Sequence, residues 1–252
     1  MGAGRRGVAG QRLISLLGAD VNRLVPGPMI EVLGWLLAKG APVPDVLMTE
    51  NARQLLSTAG LQFANDQTRR SVVQALLNGA ASGLFEGPPR ADTSILSHPE
   101  LAGQLHAAAS NLANPWVAFW ICRIARQCAV HEVAEDLLAL ALEPSLPPMI
   151  RAEAVTAFAA VGPDDRKAEL APLLELDTTQ DPFDEIRAAA LRAVLPNALD
   201  FDRIRNAIRP KTNSHFIGNY ERLLSELPGL IPSTEVLPTL KDALRRRPEH
   251  GG

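Results

Sequence analysis

At 252 residues the chain is 46% apolar but only 4% aromatic, and its apolar content is mostly Ala and Leu. That balance favours helix over sheet. A formal net charge of −3 argues against a nucleic-acid binder, which carries a basic excess to neutralise phosphates. Cys122 and Cys128, the two cysteines, stand six apart on one predicted helix. They point about 120° apart there, which excludes a mutual disulfide, and the spacing is not that of metal ligands. Reduced thiols fit a cytoplasmic protein.

Residues 1–10 are rich in Gly and Arg and are predicted to be disordered. The apolar stretch Leu13–Leu17 is too short for a signal peptide or a membrane span, with Asp20 and Asn22 close behind it. Residues 11–96 read as an irregular helical portion. Its apolar stripes are Leu13, Leu16, Leu17, Val21 and Leu24, then Ile30, Leu33 and Leu37, then Ala52, Leu55, Leu56 and Ala59, then Val72, Val73, Leu76 and Leu77. All keep the i, i+3, i+4 rhythm of a helix with one buried face. Residues 83–96, starting Gly83-Leu84-Phe85 and containing Gly87-Pro88-Pro89, are the most loop-like stretch. They are expected to divide this portion from regular repeats over 97–246, with 247–252 a disordered tail.

A helix start is predicted at His98-Pro99-Glu100, with Leu101, Leu105 and Leu112 behind it. Asn114-Pro115 reads as a cap followed by Pro in the first turn. Four helix pairs follow: Trp116–Gln127 with Val133–Leu142, 149–161 with 165–175, 184–195 with 201–208, and 215–227 with 234–246. The strongest signal lies in the middle of these. Ile150-Arg151-Ala152-Glu153-Ala154-Val155-Thr156-Ala157-Phe158 matches Ile186-Arg187-Ala188-Ala189-Ala190-Leu191-Arg192-Ala193-Val194, 36 positions on. A helical phrase recurring at this period marks stacked helix pairs, so the expected fold is all-α: an α-solenoid of HEAT-like antiparallel pairs. No stretch alternates with period two, and no sheet is expected.

The phrase Asp184-Glu185-Ile186-Arg187-Ala188-Ala189-Ala190-Leu191-Arg192-Ala193 resembles the second helix of a HEAT-type repeat. The run Ile186–Leu195, then Pro196, then Phe216-Ile217-Gly218-Asn219-Tyr220-Glu221-Arg222-Leu223-Leu224, looks like a segment that follows the nucleotide-binding module in bacterial NACHT/STAND-type NTPases. His98-Pro99-Glu100-Leu101 and Asn114-Pro115-Trp116-Val117 look similar as well. The resemblance implies a role in sensing or autoinhibition within such a system, in antiviral defence. The phosphate-cradling G-x-x-x-x-G-K-[ST] loop is missing, since no Gly-Lys-Ser/Thr occurs. The chain therefore corresponds to the repeat region without the NTPase module. The first copy departs from the pattern too, with Pro148 and Met149 where Asp184 and Glu185 stand in the second.

Candidate interaction residues are Trp116 and Trp120, which share a helix face and would form a stacking platform, and Arg151 and Arg187, which occupy equivalent places in successive repeats. The competing readings are inter-repeat core for the indoles and a salt bridge for the arginines, with Asp184 three residues before Arg187. His131-Glu132-Val133-Ala134-Glu135 has Glu where H-E-x-x-H needs its second His, and His98 with His106 lacks a third ligand. Cys128 and His131, three apart, would make a Cys–His pair; packing is the alternative. Arg203, Arg205, Arg209, Lys211 and His215, and Arg245-Arg246-Arg247, read as solvated faces because aromatic interleaving is missing. Phe216, Tyr220, Leu223, Leu224 and Leu227 read as core. No catalytic residue, metal or cofactor is expected. The function expected is a non-enzymatic interaction module binding a protein or ligand on its concave face. The alternatives are a HEAT-like enzyme, such as a DNA-base glycosylase or chromophore lyase, and a truncated gene product without activity.

Overall fold

The structure is a computed structural model, and it describes residues 16–17, 24–85, 91–112, 114–195, 201–209, 218–231 and 233–245. Among these every regular element is helical and no strand occurs. The chain forms two compact units, Met1–Val133 and Ala134–Gly252. The loop expected to separate the N-terminal portion from the repeats thus lies inside the first unit. The predicted disordered ends, 1–10 and 247–252, and Phe216 lie outside the described residues.

The first unit holds α1 (Gly27–Ala38), α2 (Asp45–Leu55), α3 (Asp66–Ala81), α4 (Leu101–Ala109) and α5 (Pro115–Gln127), with a 3-10 turn at Ala59–Phe63. Their starts follow from local chemistry. Asn65 caps α3 by accepting the Thr68 N–H at 2.9 Å, and Asn114 caps α5 by accepting the Trp116 N–H at 3.0 Å. Pro115 then stands where a missing N–H costs nothing. In α5, six consecutive residues from Val117 to Cys122 are buried. A helix apolar all round must be covered all round, and α5 packs against both α3 and α4. That packing draws 97–127 into the first unit. Leu112 falls beyond the end of α4 and is exposed, so the predicted stripe there ends at Leu105.

Two close approaches fix α1 against the 3-10 turn. A Cβ on Gly34 would sit 2.4 Å from Thr58 Oγ1, and one on Gly60 would sit 2.5 Å from the backbone of Gly34 and Trp35. Only hydrogen fits at either position. Trp35 continues this seam to the surface, where its ring stacks on Phe63 with centroids 5.4 Å apart. Buried Asn51 ties α2 to the segment that enters α1: it accepts the Val25 N–H at 2.8 Å and donates to Leu47 O at 2.8 Å.

The second unit holds α6 (Ala134–Leu142), α7 (Pro148–Val161), a 3-10 segment Asp164–Glu175, α8 (Glu185–Val194), α9 (Phe201–Ala207), α10 (Asn219–Leu230) and α11 (Ser233–Arg245). The helix expected at 165–175 is wound as 3-10. Pro172 lies inside it, and proline removes a donor and crowds the preceding turn of an α-helix. The two copies of the repeated phrase are α7 and α8, and they pack directly against each other. Ile150, Ala154, Val155 and Phe158 on α7, and Ile186, Ala190, Leu191 and Val194 on α8, are all buried. Pairing within the unit differs from the expectation. The main partners of α7 are α6 and α8, and the 3-10 segment packs chiefly on α8. An apolar stripe shows which face is covered, not which neighbour covers it.

Candidate functional site

Arg151 and Arg187 hold equivalent places on α7 and α8, and both are interior: 4% and 1% exposed. Arg151 reaches back to the end of α6 and donates through Nε to Ala141 O at 3.1 Å. It thereby satisfies a carbonyl that the helix end leaves open. Burial pulls its pKa down, against the charges of Asp181 and Glu143. Arg187 pairs with Asp184 through Nη2, and its guanidinium lies 4.9 Å from the Tyr220 ring centroid on α10. Asp184 sits at φ 59°, a left-handed conformation that Asp tolerates better than most residues.

Asp181 completes the cluster at 1% exposure, accepting the Arg187 backbone N–H at 2.9 Å. It places a carboxylate at the N-terminus of α8, where the helix dipole favours negative charge. Even so its pKa is pushed up to about 6, first by burial and then by the charge of Asp184, against the N–H groups of Ile186 and Glu185 and the charge of Arg151. Two arginines, two aspartates and one phenol ring therefore form an inward-facing charge-compensated set. The salt-bridge reading of Arg187 is the one the geometry matches.

The raised value has a consequence for stability. The folded-state pKa of Asp181 lies above its ordinary 3.8, so its stabilising contribution is complete below about pH 4 and is lost as pH rises through about 6. The loss expected from this residue between pH 4 and pH 8 is about 2 kcal/mol. Asp181→Asn, which carries no titrating proton, is expected to flatten that part of the profile. Urea denaturation of both proteins at the two pH values measures it; identical slopes would show that Asp181 ionises normally.

The two indoles do not act together. Trp116 is half-buried and meets Phe119 edge-on at 5.7 Å, whereas Trp120 is 0% exposed and meets Phe85 edge-on at 6.4 Å. The thiol of Cys128 contacts Thr93 O at 3.2 Å, and burial first, then the charge of Asp92, pushes its pKa up to about 11. Such a thiol is not a nucleophile at neutral pH. His131 and Glu135 are exposed, and Glu135 pairs with Arg166. Among the described residues no group of three His, Cys, Asp or Glu side chains could hold a metal. The basic stretch is internally paired: Arg203 with Glu175, Arg205 with Asp202, and Arg209 with Leu176 O. Lys211, His215, Arg246 and Arg247 lie outside the described residues. No helix among the described residues is long and apolar enough to cross a membrane.

One cavity in the first unit was not anticipated from the sequence. It is a cleft of about 550 Å³ between α3 and α4, with Val117 of α5 at its edge. An Arg70–Glu100 ion pair joins the N-terminal ends of its two walls. Gln104 Nε2 donates to Arg70 O at 3.1 Å and to Gln74 Oε1 at 3.2 Å, and Gln74 Nε2 donates to Asn78 Oδ1 at 2.9 Å. Carboxamides spaced i, i+4 on α3 were the available signal, but such residues on a polar helix face ordinarily meet water. No family model, curated protein or solved structure matches the chain.

Proposed function

We propose that the chain is a non-enzymatic interaction module, an α-solenoid of HEAT-like helix pairs that serves as the partner-binding or regulatory part of a STAND-type NTPase system in the cytoplasm. The observation that carries this reading is the direct packing of the two copies of the repeated phrase, α7 on α8, with equivalent arginines buried in each. Repetition of one structural unit against the next is what gives a repeat array its extended binding surface.

The test is affinity capture from native lysate with the full chain, followed by mass spectrometry across replicate preparations. Recurrent recovery of one NTPase carrying a Gly-Lys-Ser/Thr phosphate loop is the expected result. Replicates that never recover such a protein would overturn the assignment to this system.

A further inference from the structure

We propose that His98 is an acid-sensitive latch: a proton on its buried ring releases the first turn of α4 from α3, while the segment before it stays clamped to α5. The latch goes beyond the NTPase assignment and does not depend on it.

The ring is 9% exposed, and both of its nitrogens are buried without a partner among the described residues. A neutral imidazole bears that arrangement at the cost of one unmade donor and one unmade acceptor. A protonated ring carries two donors and a charge, and neither nitrogen has an acceptor within reach among the described residues. The charged groups that act on it are Asp66, Arg69 and Arg70 of α3 and Glu100 of its own segment. Both carboxylates are exposed, and each already faces an arginine: Asp66 with Arg69 at 3.9 Å, and Glu100 with Arg70. Water and the arginines weaken their pull on the proton. Burial holds the pKa of His98 below its ordinary 6.5, against the charges of Asp66 and Glu100 and with those of Arg69 and Arg70.

His98 stands at the joint between two helices. Arg69 crosses from α3 to donate through Nη1 to Ser97 O at 3.1 Å. The first turn of α4 is built on this residue and its neighbour: Leu101 N donates to His98 O and Gln104 N to Glu100 O, each at 3.1 Å. The far end of the segment is held by groups that do not titrate near pH 6. Thr93 donates through N and Oγ1 to Gln127 Oε1 at 2.7 and 2.6 Å. The Cys128 thiol, with its raised pKa, stays protonated and donates to Thr93 O. Acid therefore acts at one end only. Its sign is opposite to that at Asp181: the contribution of His98 is complete above about pH 6.5 and is lost as pH falls through its lowered pKa.

The test is hydrogen exchange of the full chain at pH 7.5 and pH 5.0, with each amide corrected for its intrinsic rate. The opening constants of the Leu101 and Gln104 amides are expected to rise at least about threefold at the lower pH, with the amides of α2 unchanged. His98→Leu keeps a similar volume, takes up no proton and gives up no hydrogen bond, so its α4 amides are expected to stay protected at both pH values. Opening constants that do not rise in wild type, or that rise equally in His98→Leu, overturn the proposal. Should His98→Leu melt early, the wild-type ring decides by NMR, assigned by replacing His106, His131, His215 and His250 in turn. It is expected to titrate below pH 6.5, and titration at or above that value overturns the latch.

Discussion

Arg187→Ala is expected to destabilise the second unit by about 3–5 kcal/mol, the cost of leaving a buried carboxylate without its counter-charge. Asp184 is nearly inaccessible, and its partner is the guanidinium that also faces Tyr220. Removal of the arginine strands the acid in a place water does not reach. Urea denaturation followed by far-UV circular dichroism reads the loss. The pair can be taken out together at much lower cost. Arg187→Met with Asp184→Asn keeps the volume, removes both charges and retains a side chain that accepts the left-handed backbone at 184. The double variant should recover most of the stability, giving a large coupling energy in the cycle formed by Arg187→Met, Asp184→Asn and the two together. A loss below about 1 kcal/mol for Arg187→Ala would mean that the pair behaves as a surface bridge does.

Trp120→Ala is expected to cost a comparable amount in the first unit, about 3–5 kcal/mol. The indole is 0% exposed, the largest fully buried side chain among the described residues, and sits edge-on to Phe85. Phe85 in turn lies over Gly79, where a Cβ would come within 2.1 Å of its ring, so α3, Phe85 and Trp120 are packed in series. Trp120→Phe should cost roughly half as much or less. It keeps a ring against Phe85 and removes Nε1, a buried N–H with no partner among the described residues. Thermal unfolding of the two variants decides the matter. A tolerant Trp120→Ala would show that the indole is a surface platform after all.

Helices were the most legible part of this protein. Val72, Val73, Leu76 and Leu77 announced α3 by spacing alone, and Asn114-Pro115 marked the cap and first turn of α5, whose start was expected one residue later, at Trp116. The 3-10 winding of Asp164–Glu175 was less legible, because a stripe of apolar residues does not separate 3.0 from 3.6 residues per turn over so short a stretch. Pro172 was the clue. At the arginines, equivalence of position was readable and depth was not. Arginine is ordinarily a surface residue, and Asp181, the acid whose charge acts on Arg151, lies thirty positions away in the chain. The cleft was illegible for a related reason. Gln74 and Gln104 each look like solvent-facing residues of their own helix, and only the approach of α3 to α4 makes them one surface.

The indole and phenol side chains divide sharply between the units. All three indoles, Trp35, Trp116 and Trp120, belong to the first, and the single phenol, Tyr220, belongs to the second. Intrinsic fluorescence is therefore a built-in label. Emission excited selectively from tryptophan reports melting of the first half alone, while the tyrosine signal, from a ring held over Arg187, reports the second. Within the first half, exposed Trp35 and enclosed Trp120 should differ in colour and in access to a dissolved quencher such as acrylamide.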